Sequence, residues 1–153
     1  MGTVHPFDAW AGTWRGDGQG EYPTIEPFSY TEELVIEPVS ARSVAHWRSR
    51  TTDARTREPR HAESGFIRTA AGGIELVVAH SFGIVEVATG ILEGTVLDLR
   101  SENLGRTPSA KQVDVVGRHY ELDADSILYT IAMAAVGQPL THHLAATLRR
   151  SAG

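Results

Sequence analysis

Apolar and polar residues alternate with a period of two along most of this chain, and the pattern restarts about ten times. Period two sends neighbouring side chains to opposite faces, so each run has one side for a core and one for solvent. The runs cover 12–22, 28–39, 41–53, 60–70, 73–80, 83–90, 91–101, 112–122, 126–136 and 140–150. Between them stand DARTREP (53–59), AGG (71–73), SFG (81–83), ATG (88–90), DADS (123–126) and GQP (137–139), rich in residues that let the backbone turn. No segment has the spacing of an amphipathic helix of ten or more residues. HPFDAW (5–10) suits one short helical turn, with Pro6 early and Phe7 and Trp10 three apart. Many strands with hairpin-length links make an all-β antiparallel barrel or sandwich, with that turn plugging one end.

The 153 residues suit a single domain, 1–153, with room for a sizeable core or an internal cavity. A formal charge of -5 and a pI near 5.8 argue against a nucleic-acid partner. No apolar stretch has membrane-spanning length and the first residues lack a signal-peptide pattern. After Met-Gly, position 6 is Pro6 where myristoylation favours Ser or Thr. The expectation is a soluble cytoplasmic protein without a membrane partner. There are no cysteines, which excludes disulfides, zinc-thiolate sites, thiol catalysis and thiolate-ligated haem. A metal here must be held by His, carboxylate, Tyr or Met.

Two motifs stand out. The first, GTWRGDG, places Gly12, Trp14, Gly16 and Gly18 in the form G-x-W-x-G-x-G, followed by Tyr22-Pro23-Thr24. Glycines at alternate strand positions have no side chain to pack. They suit a sharp bend, or the close approach of another backbone or a flat ligand. No Gly-Lys-Ser/Thr follows, so this is not a phosphate loop. The second motif is LTHHLAATLRR (140–150). Its even face carries Leu140, His142, Leu144, Ala146 and Leu148; its odd face carries Thr141, His143, Ala145, Thr147 and Arg149. A barrel filled by its own side chains turns the leucines inward, and His142 with them. A barrel around a large flat ligand turns the small face inward, and His143 with it. Periodicity leaves both open. The seven histidines show no H-E-x-x-H spacing, and no G-x-S-x-G occurs.

These stretches, with HAESGFIR (61–68) and IELVVAHSFGIVEVATG (74–90), resemble the nitrobindin family over nearly the whole chain. The resemblance implies a ten-stranded antiparallel up-and-down barrel shaped like fatty-acid-binding proteins. It implies one haem b per subunit, with His143 as axial ligand and catalytic centre. Thr24 and Lys111 then match positions at the haem, Lys111 as a propionate partner. The implied activity is isomerisation of peroxynitrite to nitrate at ferric haem, with nitric oxide bound in the ferrous state. A non-catalytic carrier or sensor of haem, nitric oxide or a fatty-acid-like ligand is the alternative, since fold alone does not decide function. With His143 inward, the odd face is expected to line the pocket. Leu144 and Leu148 would then face outward into a homodimer contact.

Overall fold

The computed structural model describes residues 5–39 and 43–152. Residues 41 and 42, where the third expected strand begins, and the ends of the expected 1–153 domain lie outside them. Among the described residues, a 3-10 turn, Asp8–Trp10, precedes ten strands: β1 (Gly12–Tyr22), β2 (Ile25–Pro38), β3 (Val44–Asp53), β4 (Pro59–Ala70), β5 (Gly73–His80), β6 (Ile84–Glu93), β7 (Val96–Arg106), β8 (Val113–Asp123), β9 (Ser126–Ala135) and β10 (Thr141–Arg150). Each pairs antiparallel with the next, and β1 pairs with β10 to close the barrel. Closure leaves no free sheet edge.

The expected break at ATG (88–90) is not a turn. β6 runs through it to Glu93, and the reversal falls at Gly94, whose φ of +61° suits glycine. Gly90 instead lies where an added Cβ would stand 1.7 Å from the Asp98 carbonyl oxygen on β7. There the glycine marks close backbone approach.

The N-terminal glycines have the same explanation. Gly16 pairs with Leu148, and a Cβ there would stand 2.0 Å from the Thr147 carbonyl oxygen. Gly18 faces Tyr30 across β1 and β2, and the Tyr30 ring lies where a Cβ would go, 2.2 Å from its Cζ. The flat group against this strand is thus the protein's own aromatic ring.

One end of the barrel is filled. Phe7 and Trp10 of the 3-10 turn reach in against Ile36, Trp47, Ile67 and Leu97. Trp14 is fully buried and donates its indole N–H to the Trp10 carbonyl at 2.9 Å, tying turn to wall. The opposite end, ringed by the β1–β2, β3–β4, β5–β6, β7–β8 and β9–β10 connections, is hollow. β7 and β8 pair only from Val96↔Glu121 to Ser101↔Val116, so the seam between them parts towards that end.

Candidate functional site

The hollow end holds a cavity of about 250 Å³. Its wall is mostly apolar: Phe28 from β2, Ile84 from β6, Val116 from β8, and Ile131 and Met133 from β9. Ile25 and Phe82, 42% and 50% exposed, stand at the mouth. Arg60 also borders the cavity, with its guanidinium 3.6 Å from the centre of the Phe28 ring and 2.9 Å from Asp53.

The histidine pair is resolved by a bulge. Thr141 pairs with Met133 and His142 with Ala132, but the next pair is Leu144 with Ile131, so His143 has no partner of its own. An extra residue in one strand lets two successive side chains take the same face. His142 points outward and is exposed, while His143 and Leu144 both line the cavity. Below the bulge the leucine face continues inward: Ala146 packs against the core and Leu148 is fully buried. The odd-face expectation is therefore corrected at Ala145 and Thr147, which lie on the outer side with exposed Leu128. Leu144 and Leu148 are inside, so the leucine argument for a homodimer falls. The two rival parities each describe one half of β10, and the bulge is the switch between them.

His143 is held firmly. Its Nδ1 lies 2.9 Å from the Glu21 carbonyl oxygen. A carbonyl only accepts, so Nδ1 carries the proton and Nε2 keeps a free lone pair. The Tyr22 ring meets the imidazole edge-on at 5.4 Å. Tyr22 is fixed in turn by its hydroxyl, which donates to the Met133 carbonyl and accepts from the Ala135 N–H. Burial pushes the His143 pKa below its ordinary value, against the hydrogen bond to Glu21. A neutral imidazole with one nitrogen oriented and the other free is a metal ligand's resting state.

Thr24 is exposed in the β1–β2 turn and Lys111 is exposed in the β7–β8 connection; neither borders the cavity. Gly12 opens β1, while Trp14, Gly16 and Gly18 build the wall as described.

Residues that the sequence reading passed over form a polar wall in the cavity. Arg118 on β8 is 3% exposed and donates five hydrogen bonds: to Glu63 at 2.9 and 2.9 Å, to Glu86 at 3.1 and 2.6 Å, and to the Tyr120 hydroxyl at 3.0 Å. Burial works to raise the Glu63 and Glu86 pKa values, but the Arg118 charge outweighs it and holds both below the usual carboxylate range. His80 Nε2 reaches Glu86 at 3.0 Å, and its Nδ1 meets His61 Nε2 at 2.8 Å. Burial drives His61 down to about 4, so it is neutral at physiological pH.

A second chain runs inward from the cavity-lining Tyr30. The Tyr30 and Tyr129 hydroxyls are 2.7 Å apart, Tyr129 donates to Glu32, and Ser49 donates to Glu32 at 2.6 Å. Burial pushes Glu32 up to about 7, although both hydrogen bonds pull the other way. Two of these groups carry a sequence signal: Glu32 stands among Tyr30, Leu34 and Ile36, and Arg118 among Val116, Tyr120 and Leu122, on the apolar parity of their strands.

Comparison with known proteins follows the same lines. A family model described as "THAP4-like, heme-binding beta-barrel domain" matches residues 3–150. A protein of Nocardia farcinica named peroxynitrite isomerase is 46% identical over 144 residues, covering 91% of this chain and 85% of that protein. Peroxynitrite isomerase 2 of Mycobacterium avium is 42% identical over 144 residues, covering 91% and 89%. The crystal structure of Rv2717c from M. tuberculosis superposes with a TM-score of 0.88 at 36% identity, over 98% of this chain and all of that one.

Proposed function

The chain belongs to the family of THAP4-like haem-binding β-barrel domains, and from that premise we propose that it holds one haem b on His143 and isomerises peroxynitrite to nitrate. The observation that carries this reading is the bulge between His142 and Leu144, which turns His143 alone of the pair into the cavity. The residues present suit the group. His143 offers a neutral imidazole with a free Nε2, the apolar wall suits a macrocycle, and the Arg60 cation at the mouth suits a propionate. Thr24 and Lys111 enter the proposal as contacts to the haem edge, with the family resemblance as their support.

Held by His143, a haem would supply the iron chemistry for rearranging peroxynitrite and, when reduced, for binding nitric oxide. The chain's own part is positional. Glu21 fixes the His143 tautomer, Tyr22 backs the ring, and the apolar lining limits water. No proton-transfer pair is required, because the reaction rearranges one anion into another. Among the described residues no helix is long and apolar enough to cross a membrane.

Reconstitution with haem tests the reading. Wild-type protein and His142→Ala should develop a Soret band, and His143→Ala should not. Stopped-flow mixing should show the haem-loaded protein speeding peroxynitrite decay. A Soret band that survives His143→Ala overturns the ligand assignment. Haem uptake without faster decay overturns the enzyme reading in favour of a carrier or sensor.

A further inference from the structure

We infer that His61, His80 and Glu63 form a binding site for one divalent first-row transition cation on the cavity wall facing His143. The site shares the cavity bordered by His143, and its argument does not rest on the haem reading. In a closed ring of ten strands, β5 lies five strands from β10 in either direction, and β4 is its neighbour. His80 ends β5, and His61 and Glu63 open β4, so the three stand across the cavity from His143.

The donor atoms are already gathered. One nitrogen of each histidine and one Glu63 oxygen lie within 4.8 Å of one another. The two nitrogens are 2.8 Å apart and His80 Nδ1 is 3.5 Å from the Glu63 carboxylate. Two nitrogens at that spacing, each about 2.1 Å from one ion, subtend about 84°. That matches adjacent positions of a six-coordinate ion better than a tetrahedral one. Two imidazoles and a carboxylate with open positions towards a cavity are a donor set for Fe, Co, Ni or Zn ions.

Two further observations point to a cation here. The first is orientation: the far nitrogen of His80 is bonded to Glu86 at 3.0 Å, the carboxylate–histidine arrangement that aims a ring at a metal. The second is charge. Glu63 and Glu86, 7% and 0% exposed, face a single guanidinium, that of Arg118. Two carboxylates thus share one guanidinium, and the other group that meets both is the His80 ring, at 3.5 and 3.0 Å. A divalent ion seated on the imidazoles would add positive charge beside that pair. It would also place a Lewis acid opposite His143, where a small oxyanion entering the cavity meets it.

The test uses the full chain without haem, stripped with a chelator and titrated with Co²⁺. The readouts are calorimetry and visible ligand-field absorption. We expect one equivalent to bind. His61→Ala and His80→Gln should each weaken binding at least about tenfold, and Glu86→Gln by roughly 10–100-fold, because a neutral amide replaces the carboxylate that His80 Nε2 donates to. His143→Ala should bind as wild type, and so should His119→Ala, which removes an exposed histidine paired with Asp98 and Glu121. Near-UV circular dichroism verifies that each variant is folded, and wild-type stoichiometry needs no variant at all. Absence of saturable binding by wild type overturns the proposal. So does binding that survives both His61→Ala and His80→Gln, or that is lost in His143→Ala or His119→Ala.

Discussion

Replacing Arg118 by Met removes the one cation between two buried carboxylates while keeping a side chain of similar length. Five hydrogen bonds disappear, and Glu63 and Glu86 are left facing each other with almost no access to water. Removing one partner of a buried ion pair costs about 3–5 kcal/mol, because the remaining charge is neither solvated nor paired. With a urea slope of about 2 kcal/mol/M, the midpoint should fall by roughly 1.5–2.5 M at pH 7. The sign with pH is also set. In the wild type both carboxyls titrate below their unfolded values. Their stabilisation is therefore present above the ordinary carboxylate range, near pH 4.5, and fades as pH falls through the lower folded values. Without Arg118, burial dominates and raises both pKa values, so the variant is penalised most where they ionise. The gap between wild type and Arg118→Met should be widest at pH 7–8 and narrow by pH 5. Urea melts followed by tryptophan fluorescence at both pH values measure it. A loss under about 1 kcal/mol at pH 7, or a gap that widens in acid, would refute the reasoning.

The Glu32 carboxyl titrates near 7 in the fold against 4.5 ordinarily, so its contribution is present below pH 4.5 and is lost as pH rises through 7. The loss is about 3 kcal/mol, and Glu32→Gln should gain that much on wild type between pH 4.5 and 8; parallel stability curves for the two proteins would sink the idea. Leu148→Ala should cost about 2–5 kcal/mol, because Leu148 is fully buried below the bulge. Leu128→Ala, on the outer face at 40% exposure, should stay within about 0.5 kcal/mol in the same urea melts. Equal losses at the two positions would contradict the inward leucine face of β10.

The ten strands were legible because alternation is a local property: each run needs only its own residues to declare a period of two. The 3-10 turn was legible for the same reason, from Pro6 and the spacing of Phe7 and Trp10. The β6–β7 boundary was misplaced because a glycine in sequence signals either a turn or a close approach. Only the Asp98 carbonyl beside Gly90 tells which. The resemblance pointed to His143, yet the small inward face expected along all of β10 does not hold, since Ala145 and Thr147 lie outside. Strict periodicity carries parity unbroken through the strand, whereas the bulge changes it after one residue. That bulge depends on β9, where Ala132 and Ile131 are consecutive while their partners His142 and Leu144 are not. Similarly, the carbonyl that orients His143 belongs to Glu21, 122 residues away, and any residue type supplies a carbonyl. The polar wall joins β4, β5, β6 and β8. A charge on the apolar parity marks Arg118, whereas β4 and β6 have apolar residues on both parities and leave Glu63 and Glu86 unmarked; strand order alone brings the three together. Sequence by itself determined the strands, the closed end and the candidate histidines, since these follow from nearest-neighbour chemistry. Register, and with it the direction of every functional side chain, was decided by the tertiary structure, because register is a relation between strands.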